Sequence, residues 1–126
     1  MGQLKRILYV DDDADIRAIA QLALESVGGF DVCLCDSGAK ALEEATAFAP
    51  DLILLDVMMP SLDGPATLQQ LRIIPDLTAT PAIFLTAKAH PDEISDLKAQ
   101  GVIDVIIKPF DPMTLSEQIL QIWNGL

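Results

Sequence analysis

Five short apolar runs, separated by longer segments of helical character, constrain the fold of this chain more than any other feature. The runs occupy residues 6–10, 30–35, 52–56, 82–86 and 104–107. Their length and their branched and aromatic residues predict β-strands. The run at 52–56 has no polar alternation, which is typical of a central strand covered on both faces. Strands that alternate with helices predict an α/β fold, in which helices cover both faces of a parallel sheet.

The intervening segments carry helical periodicity and helix boundary residues. The first repeats apolar residues at intervals of three and four positions, namely Ile16, Ile19, Ala20, Ala23, Leu24 and Val27. Further helices are predicted over 38–48, 65–74 and 91–100, and a last helix has Asp111 as its N-cap and Pro112 in its first turn. The connections are short and no linker or repeat interrupts the pattern, so we expect one domain, residues 1–126.

The charge balance argues against two classes of function. The 19 acidic and 8 basic residues give a net charge of −11, which would repel a phosphate backbone, so no direct contact with nucleic acid is expected. No segment is long and apolar enough to span a bilayer, and the first residues lack the features of an export signal. We therefore expect a cytoplasmic protein without a membrane contact.

Cys33 and Cys35 lie two residues apart in the second predicted strand. Side chains at this spacing share one face of a strand and are poorly placed for a disulfide. The favoured interpretation is two small apolar side chains of the sheet, and redox or metal chemistry is the less favoured alternative.

Polar side chains stand where the predicted strands end. In an open parallel sheet, ligands bind outside the carboxyl ends of the strands, at the point where the strand order reverses. The residues at these ends are Asp11, Asp12, Asp56, Thr86 and Lys108. Each of them alone is better explained as a turn, cap or strand residue or a solvated charge, but their agreement across the strands indicates a site.

Carboxylates grouped in this way need a counter-charge. Two of them about 4 Å apart repel by about 4 kcal/mol at an effective dielectric constant of about 20. Mg²⁺ is suitable because it prefers oxygen ligands and usually binds one or two carboxylates together with phosphate oxygens. In such a site Asp56 can act as a nucleophile towards phosphorus, while Thr86 and Lys108 donate to the phosphoryl oxygens. The predicted product is an aspartyl phosphate.

These residues and their spacing strongly resemble the receiver domain of two-component response regulators. The resemblance rests on Asp11-Asp12 after the first strand, DVMMPSLDG around Asp56, Thr86-Ala87 after the fourth strand and KPF from Lys108 onwards. It covers essentially the whole chain. The resemblance implies a doubly wound, flavodoxin-like sheet with strand order 2-1-3-4-5.

The resemblance also implies how the phosphoacceptor and the metal are arranged. Asp56 would accept a phosphoryl group from a sensor histidine kinase or a histidine phosphotransfer protein. Asp12 and Asp56 would bind Mg²⁺ through their side chains, Met58 through its backbone carbonyl, and Asp11 mostly through an ordered water; Mn²⁺ could substitute. The protein would be a phosphorylation-dependent regulator and not an enzyme, although it would assist its own phosphorylation and dephosphorylation.

A second group of residues is implied to bind the phosphoryl oxygens and to transmit the signal. This group contains Thr86, Ala87 and Lys108, and the bond from Lys108 to Pro109 is expected to be cis. The chain departs from the family at Val105, where receivers commonly have an aromatic residue that turns inwards on phosphorylation. Because valine is stiff and short, we expect the switch to depend on Thr86 and on the loop that follows it.

The sequence predicts contact surfaces and the roles of exposed loop residues less specifically. In the family, the face formed by the fourth helix, fifth strand and fifth helix meets a downstream protein or an attached output domain. Few apolar residues mark this face, which predicts a transient contact and a monomer or weak dimer. Met58 and Lys88, two residues beyond Asp56 and Thr86, are expected either to border the path of a hydrolytic water or to be plain exposed loop residues.

Two other functions remain open. A phosphohydrolase of the haloacid dehalogenase type would use Asp11 as nucleophile within an Asp-x-Asp motif that ends at Asp13, but it would leave Asp56 without a purpose. A receiver-like binding module that is never phosphorylated would not need the complete set of site residues. A calcium loop starting at Asp11 is excluded, because its sixth and twelfth positions are Ile16 and Leu22 instead of glycine and glutamate.

Overall fold

Each of the five apolar runs forms a strand in the computed structural model, which describes residues 2–126. The strands are β1 (Arg6–Val10), β2 (Asp31–Cys35), β3 (Leu52–Asp56), β4 (Ala82–Thr86) and β5 (Asp104–Ile107). They are all parallel and lie in the order β2-β1-β3-β4-β5. The predicted doubly wound α/β fold and its strand order are confirmed.

Helices connect the strands and cover both faces of the sheet. They are α1 (Ala14–Gln21), which continues as a π-helical stretch over Leu22–Val27, α2 (Gly38–Phe48), α3 (Gly64–Ile73), α4 (Pro91–Lys98) and α5 (Leu115–Asn124); a short 3-10 turn, Pro75–Leu77, follows α3. Side-chain oxygens of Asp13, Ser37 and Asp63 accept hydrogen bonds from the first-turn amides of α1, α2 and α3. These caps explain where the three helices begin.

Two helix predictions differ from the structure. The first helix ends in π-helical turns, and two of its predicted inward residues, Ile19 and Val27, are each 42% exposed. The last helix begins at Leu115 and not next to Asp111. The carboxylate of Asp111 accepts from the amide of Met113 at 2.8 Å, while its carbonyl accepts from the amides of Thr114 and Leu115. Asp111 therefore caps a separate turn that precedes the helix.

The core consists of two apolar layers, one on each face of the sheet. Tyr9, Leu54 and Leu85 pack with α1 and α5 on one face, whereas the other face packs against α2, α3 and α4. Every residue of β3 and β4 is buried, as predicted for central strands. No helix within residues 2–126 is long and apolar enough to cross a membrane.

Cys33 and Cys35 are both free thiols, half-buried and buried respectively. Burial is the main cause that raises the pKa of both thiols, and it brings that of Cys35 to about 12. A thiolate is therefore disfavoured at either position, which supports the interpretation as packing residues of the sheet.

Candidate functional site

The strand order reverses between β1 and β3, and this reversal sets the position of the site. Val10 pairs with Leu55 across the two strands, so that the next residue of each, Asp11 and Asp56, lie side by side at the carboxyl edge. A pocket of about 290 Å³ opens at this edge. It is lined by Asp11, Asp12, Asp13, Ile16, Asp56, Met58, Thr86, Ala87, Lys88 and Lys108.

The backbone fixes the two buried carboxylates. The amide of Asp11 donates to the carbonyl of Cys35 at 3.1 Å, and the amide of Val57, directly after Asp56, donates to the carbonyl of Leu85 at 3.0 Å. The loop after β3 then closes where the amide of Gly64 donates to the Val57 carbonyl at 2.9 Å. A Cβ atom on Gly64 would lie 2.4 Å from the Asp56 carbonyl oxygen, so this closure requires glycine.

Three of the four aspartates that line the pocket have their carboxylates close together. Asp11, Asp12 and Asp56 each present an oxygen, and these oxygens lie within 4.8 Å of one another. Asp11 and Asp56 are buried, whereas Asp12 is exposed, so the cluster is open to solvent on one side. Clustered carboxylate oxygens with an open side for water and a phosphoryl oxygen fit the ligand preferences of Mg²⁺.

Lys108 supplies the positive charge of the pocket. Its Nζ lies 2.9 Å from Asp11 Oδ2 and 3.1 Å from Asp56 Oδ1, and its side chain is only 12% exposed. Burial opposes protonation of Lys108, but the hydrogen bonds and charges of the two aspartates outweigh it and raise its pKa. Burial raises the pKa of Asp56 to about 6, although the hydrogen bond from Lys108 acts in the opposite direction.

Asp11 is held by more partners than sequence reasoning identified. Its Oδ1 accepts from the amide of Asp13 at 3.0 Å, and its Oδ2 accepts from the hydroxyl of Tyr9 at 3.1 Å as well as from Lys108. Arg17 Nη1 donates to the backbone carbonyl of Asp11 at 2.8 Å. The only sequence signal for Tyr9 is its spacing, since residues two apart in a strand share one face.

The remaining predicted residues divide between the pocket and its surroundings. Thr86 is buried, and its Oγ1 accepts from the amide of Lys88 at 3.1 Å. Met58 is 63% exposed at the rim of the pocket. Val105 does not line the pocket but packs, half-buried, against the apolar layer on the α4 side. The bond between Lys108 and Pro109 is cis.

Comparisons with known proteins agree with this architecture. The chain matches the family model described as response regulator receiver domain over residues 7–120. The transcriptional regulatory protein CseB of Streptomyces coelicolor is 40% identical over 120 residues, which are 94% of this chain and 49% of that protein. This chain thus spans about half the length of the curated relatives it matches.

Solved structures show the same likeness. The chemotaxis response regulator CheY4 of Vibrio cholerae superposes with a TM-score of 0.86 at 29% identity, covering 95% of this chain and 99% of that chain. A response regulator from Desulfuromonas acetoxidans gives a TM-score of 0.85 at 30% identity, covering 97% and 98% of the two chains.

Proposed function

Because this chain belongs to the response regulator receiver domain family, we propose that it is a phosphorylation-dependent signalling switch with Asp56 as the phosphoacceptor. One observation carries the assignment of Asp56. Its carboxylate lies close to those of Asp11 and Asp12 and is hydrogen-bonded to the ammonium group of Lys108. Lys108 also pairs with Asp11, but only Asp56 ends the central strand β3.

In the proposed reaction, a carboxylate oxygen of Asp56 forms a bond to phosphorus. The bond between phosphorus and the imidazole nitrogen of a phosphohistidine donor breaks, and the electron pair of that bond returns to the imidazole. Lys108 and the hydroxyl of Thr86 then donate to the phosphoryl oxygens, where negative charge accumulates. Ala87 lines the same pocket next to Thr86 and would take part in holding the phosphoryl group.

Asp12 and Asp56 would hold Mg²⁺ through their side chains and Met58 through its carbonyl, with Asp11 acting through a water. Bound Mg²⁺, or Mn²⁺ in its place, would neutralise the negative charge of the phosphoryl oxygens during transfer. The acidic cluster favours this assignment, since the two lysines that line the pocket do not balance its four carboxylates.

The signal would be transmitted by Thr86 and the loop that follows it. The Thr86 hydroxyl oxygen accepts from the amide of Lys88, so a shift of this side chain towards a phosphoryl group would break that bond. Loss of this bond would free the start of the loop. Val105 packs against apolar neighbours and has no polar group or long side chain that could take part.

We propose only the class of protein to which the phosphodonor and the downstream partner belong. The phosphodonor would be a sensor histidine kinase or a histidine phosphotransfer protein, and a downstream protein or attached output domain would dock on α4, β5 and α5. Several relatives are named transcriptional regulators and are about twice as long as this chain. The expectation of no nucleic-acid contact therefore concerns residues 1–126, and DNA binding by an attached domain is compatible with it.

A phosphohydrolase that uses Asp11 as nucleophile is disfavoured by the site. Both carboxylate oxygens of Asp11 already accept hydrogen bonds, and the residue is fully buried. Asp56 is less constrained, because its only side-chain partner is Lys108 within the part of the chain that the structure describes.

The proposal is tested by incubating the native protein with acetyl phosphate and Mg²⁺ and measuring the intact mass. We expect a single phosphoryl adduct that disappears in Asp56→Asn and persists in Asp13→Asn, a matched change in the same pocket. Absence of an adduct on the native protein would refute the switch. An adduct of equal yield on Asp56→Asn would move the nucleophile elsewhere, and mapping it to Asp11 would favour the phosphohydrolase.

A further inference from the structure

Tyr9 is the only tyrosine of the chain, and no role described so far uses it. It lies in β1 and is fully buried, with its ring in the apolar layer that contains Leu24 and Ile119. Its hydroxyl reaches the edge of the pocket and donates to Asp11 Oδ2 at 3.1 Å. The ring is thus anchored in the core while the hydroxyl contacts a residue of the site.

The Asp11 carboxylate depends on few donors. Its Oδ2 accepts from Tyr9 and from Lys108, and its Oδ1 accepts from the amide of Asp13. A tyrosine hydroxyl carries a donor hydrogen at neutral pH, so Tyr9 can donate to this carboxylate. A carboxylate without exposure to water needs such donors, because leaving it under-bonded is costly.

Phosphorylation would change this balance through Lys108. In the resting protein the ammonium group is shared between Asp11 and Asp56. When Asp56 becomes an acyl phosphate, its carboxylate charge is replaced by the larger charge of the phosphoryl oxygens. The ammonium group is then drawn towards these oxygens and away from Asp11.

We propose that Tyr9 is a positioning residue that holds the Asp11 carboxylate in place when Lys108 turns to the phosphoryl group on Asp56. This inference rests on the function proposed above. Tyr9 contributes little to the site at rest, since Lys108 holds the same oxygen. Its contribution becomes large in the phosphorylated state, in which the hydroxyl is the remaining side-chain donor to Asp11 Oδ2.

The experiment compares the native protein with Tyr9→Phe, which removes the hydroxyl and keeps the ring. Ser116→Ala is the matched control, because it removes another buried hydroxyl, one that donates to the Ala23 carbonyl at 2.6 Å outside the pocket. Calorimetry measures the affinity for Mg²⁺ alone and then, in saturating Mg²⁺, for beryllium fluoride, a tetrahedral mimic of the phosphoryl group.

We expect Tyr9→Phe to lower the affinity for beryllium fluoride by about tenfold, the size of one hydrogen bond to a charged group. The affinity for Mg²⁺ alone should change by less than about threefold, because Lys108 still holds Asp11. Ser116→Ala should change neither affinity. Equal losses of both affinities in Tyr9→Phe, or no loss of either, would overturn the proposal.

The lone tyrosine also gives a readout in the native protein. Ultraviolet resonance Raman spectra report the hydrogen bonding of its hydroxyl, and we expect a stronger donor bond after beryllium fluoride is added. If the protein binds the mimic and the tyrosine spectrum stays unchanged, the role of Tyr9 is refuted, while the proposed function is unaffected. If the native protein does not bind the mimic in Mg²⁺, the proposed function itself fails and this inference fails with it.

Discussion

Asp56 is the residue at which stability and function oppose each other. Burial raises its pKa to about 6, while the ordinary value is 3.8. Between these two values the folded protein holds a proton that the unfolded chain has released. The free energy of unfolding therefore falls as the pH rises from about 4 to about 6, and the cost is fully present above that window.

Asp56→Asn should remove this cost, because asparagine stays neutral. We expect the variant to be more stable than the native protein by about 2 kcal/mol at neutral pH, with the difference shrinking towards zero near pH 4. Urea unfolding without Mg²⁺ at a series of pH values measures it. Asp36→Asn is the control, because Asp36 is exposed, and it should change stability by less than about 0.5 kcal/mol. A variant less stable than the native protein at neutral pH would contradict the sign.

Which site residues the sequence can reveal depends on where they lie. Asp12, Asp56, Thr86 and Lys108 follow from one rule, because parallel strands present their carboxyl ends at a common edge. The hydrogen bond from Tyr9 to Asp11 does not follow from this rule. An aromatic residue inside an apolar strand is interpreted as a core residue, and the apolar pattern does not show where its hydroxyl points. Side-chain direction within the layer decides that contact.

At the scale of elements, strands were easier to predict than helix ends. All five strands have the predicted bounds except that β2 begins at Asp31 and not at residue 30. The apolar periodicity of 3.6 residues does not distinguish the π-helical stretch over Leu22–Val27 from an ordinary α-helix. It is accompanied by a tertiary contact, the bond from Ser116 to the carbonyl of Ala23. Contacts of this kind join distant segments, so local periodicity does not predict them.

At the scale of elements, the testable prediction concerns the response of the loop after β4 to phosphorylation. Thr86→Val keeps the shape of the side chain and removes its hydroxyl, so the amide of Lys88 loses its acceptor already at rest and the phosphoryl group loses a donor. We expect the backbone amide shifts of residues 87–91 on adding beryllium fluoride with Mg²⁺ to be largely lost, and the rate of adduct formation to fall by about tenfold.

Thr67→Val is the matched control for that experiment. Thr67 is a buried threonine whose hydroxyl donates to the Asp63 carbonyl at 2.7 Å, outside the pocket. This variant should retain the full response of the loop. Amide shifts in Thr86→Val as large as in the native protein would show that the Thr86 hydroxyl does not drive the loop.

At the scale of the whole molecule, charge and surface composition oppose self-association. The net charge is −11, and the face formed by α4, β5 and α5 exposes only scattered apolar residues such as Ile107 and Leu120. A stable dimer buries a larger and more continuous apolar area. Like charges on two copies repel one another, and salt screens this repulsion.

We therefore expect sedimentation equilibrium without phosphate to give a monomer at about 10 µM protein, with a weak dimer that becomes more populated as salt is raised. Leu120→Glu should remove that dimer if it uses the proposed face. Ile73→Glu, at the end of α3, should leave it unchanged although Ile73 is more exposed than Leu120. A tight dimer at low salt, or a dimer abolished only by Ile73→Glu, would contradict the assignment of the face.

In the resting pocket, Lys108 acts as an internal counter-ion through its ion pairs with Asp11 and Asp56. A side chain tethered to the sheet is present at a high effective concentration, so a dissolved cation has to compete with it. Occupancy by Mg²⁺ should therefore be loose and rapidly reversible in the resting protein. Because Lys108 is part of the chain and competes with Mg²⁺ for the same carboxylates, the fraction of protein with bound Mg²⁺ should follow the free Mg²⁺ concentration of its surroundings.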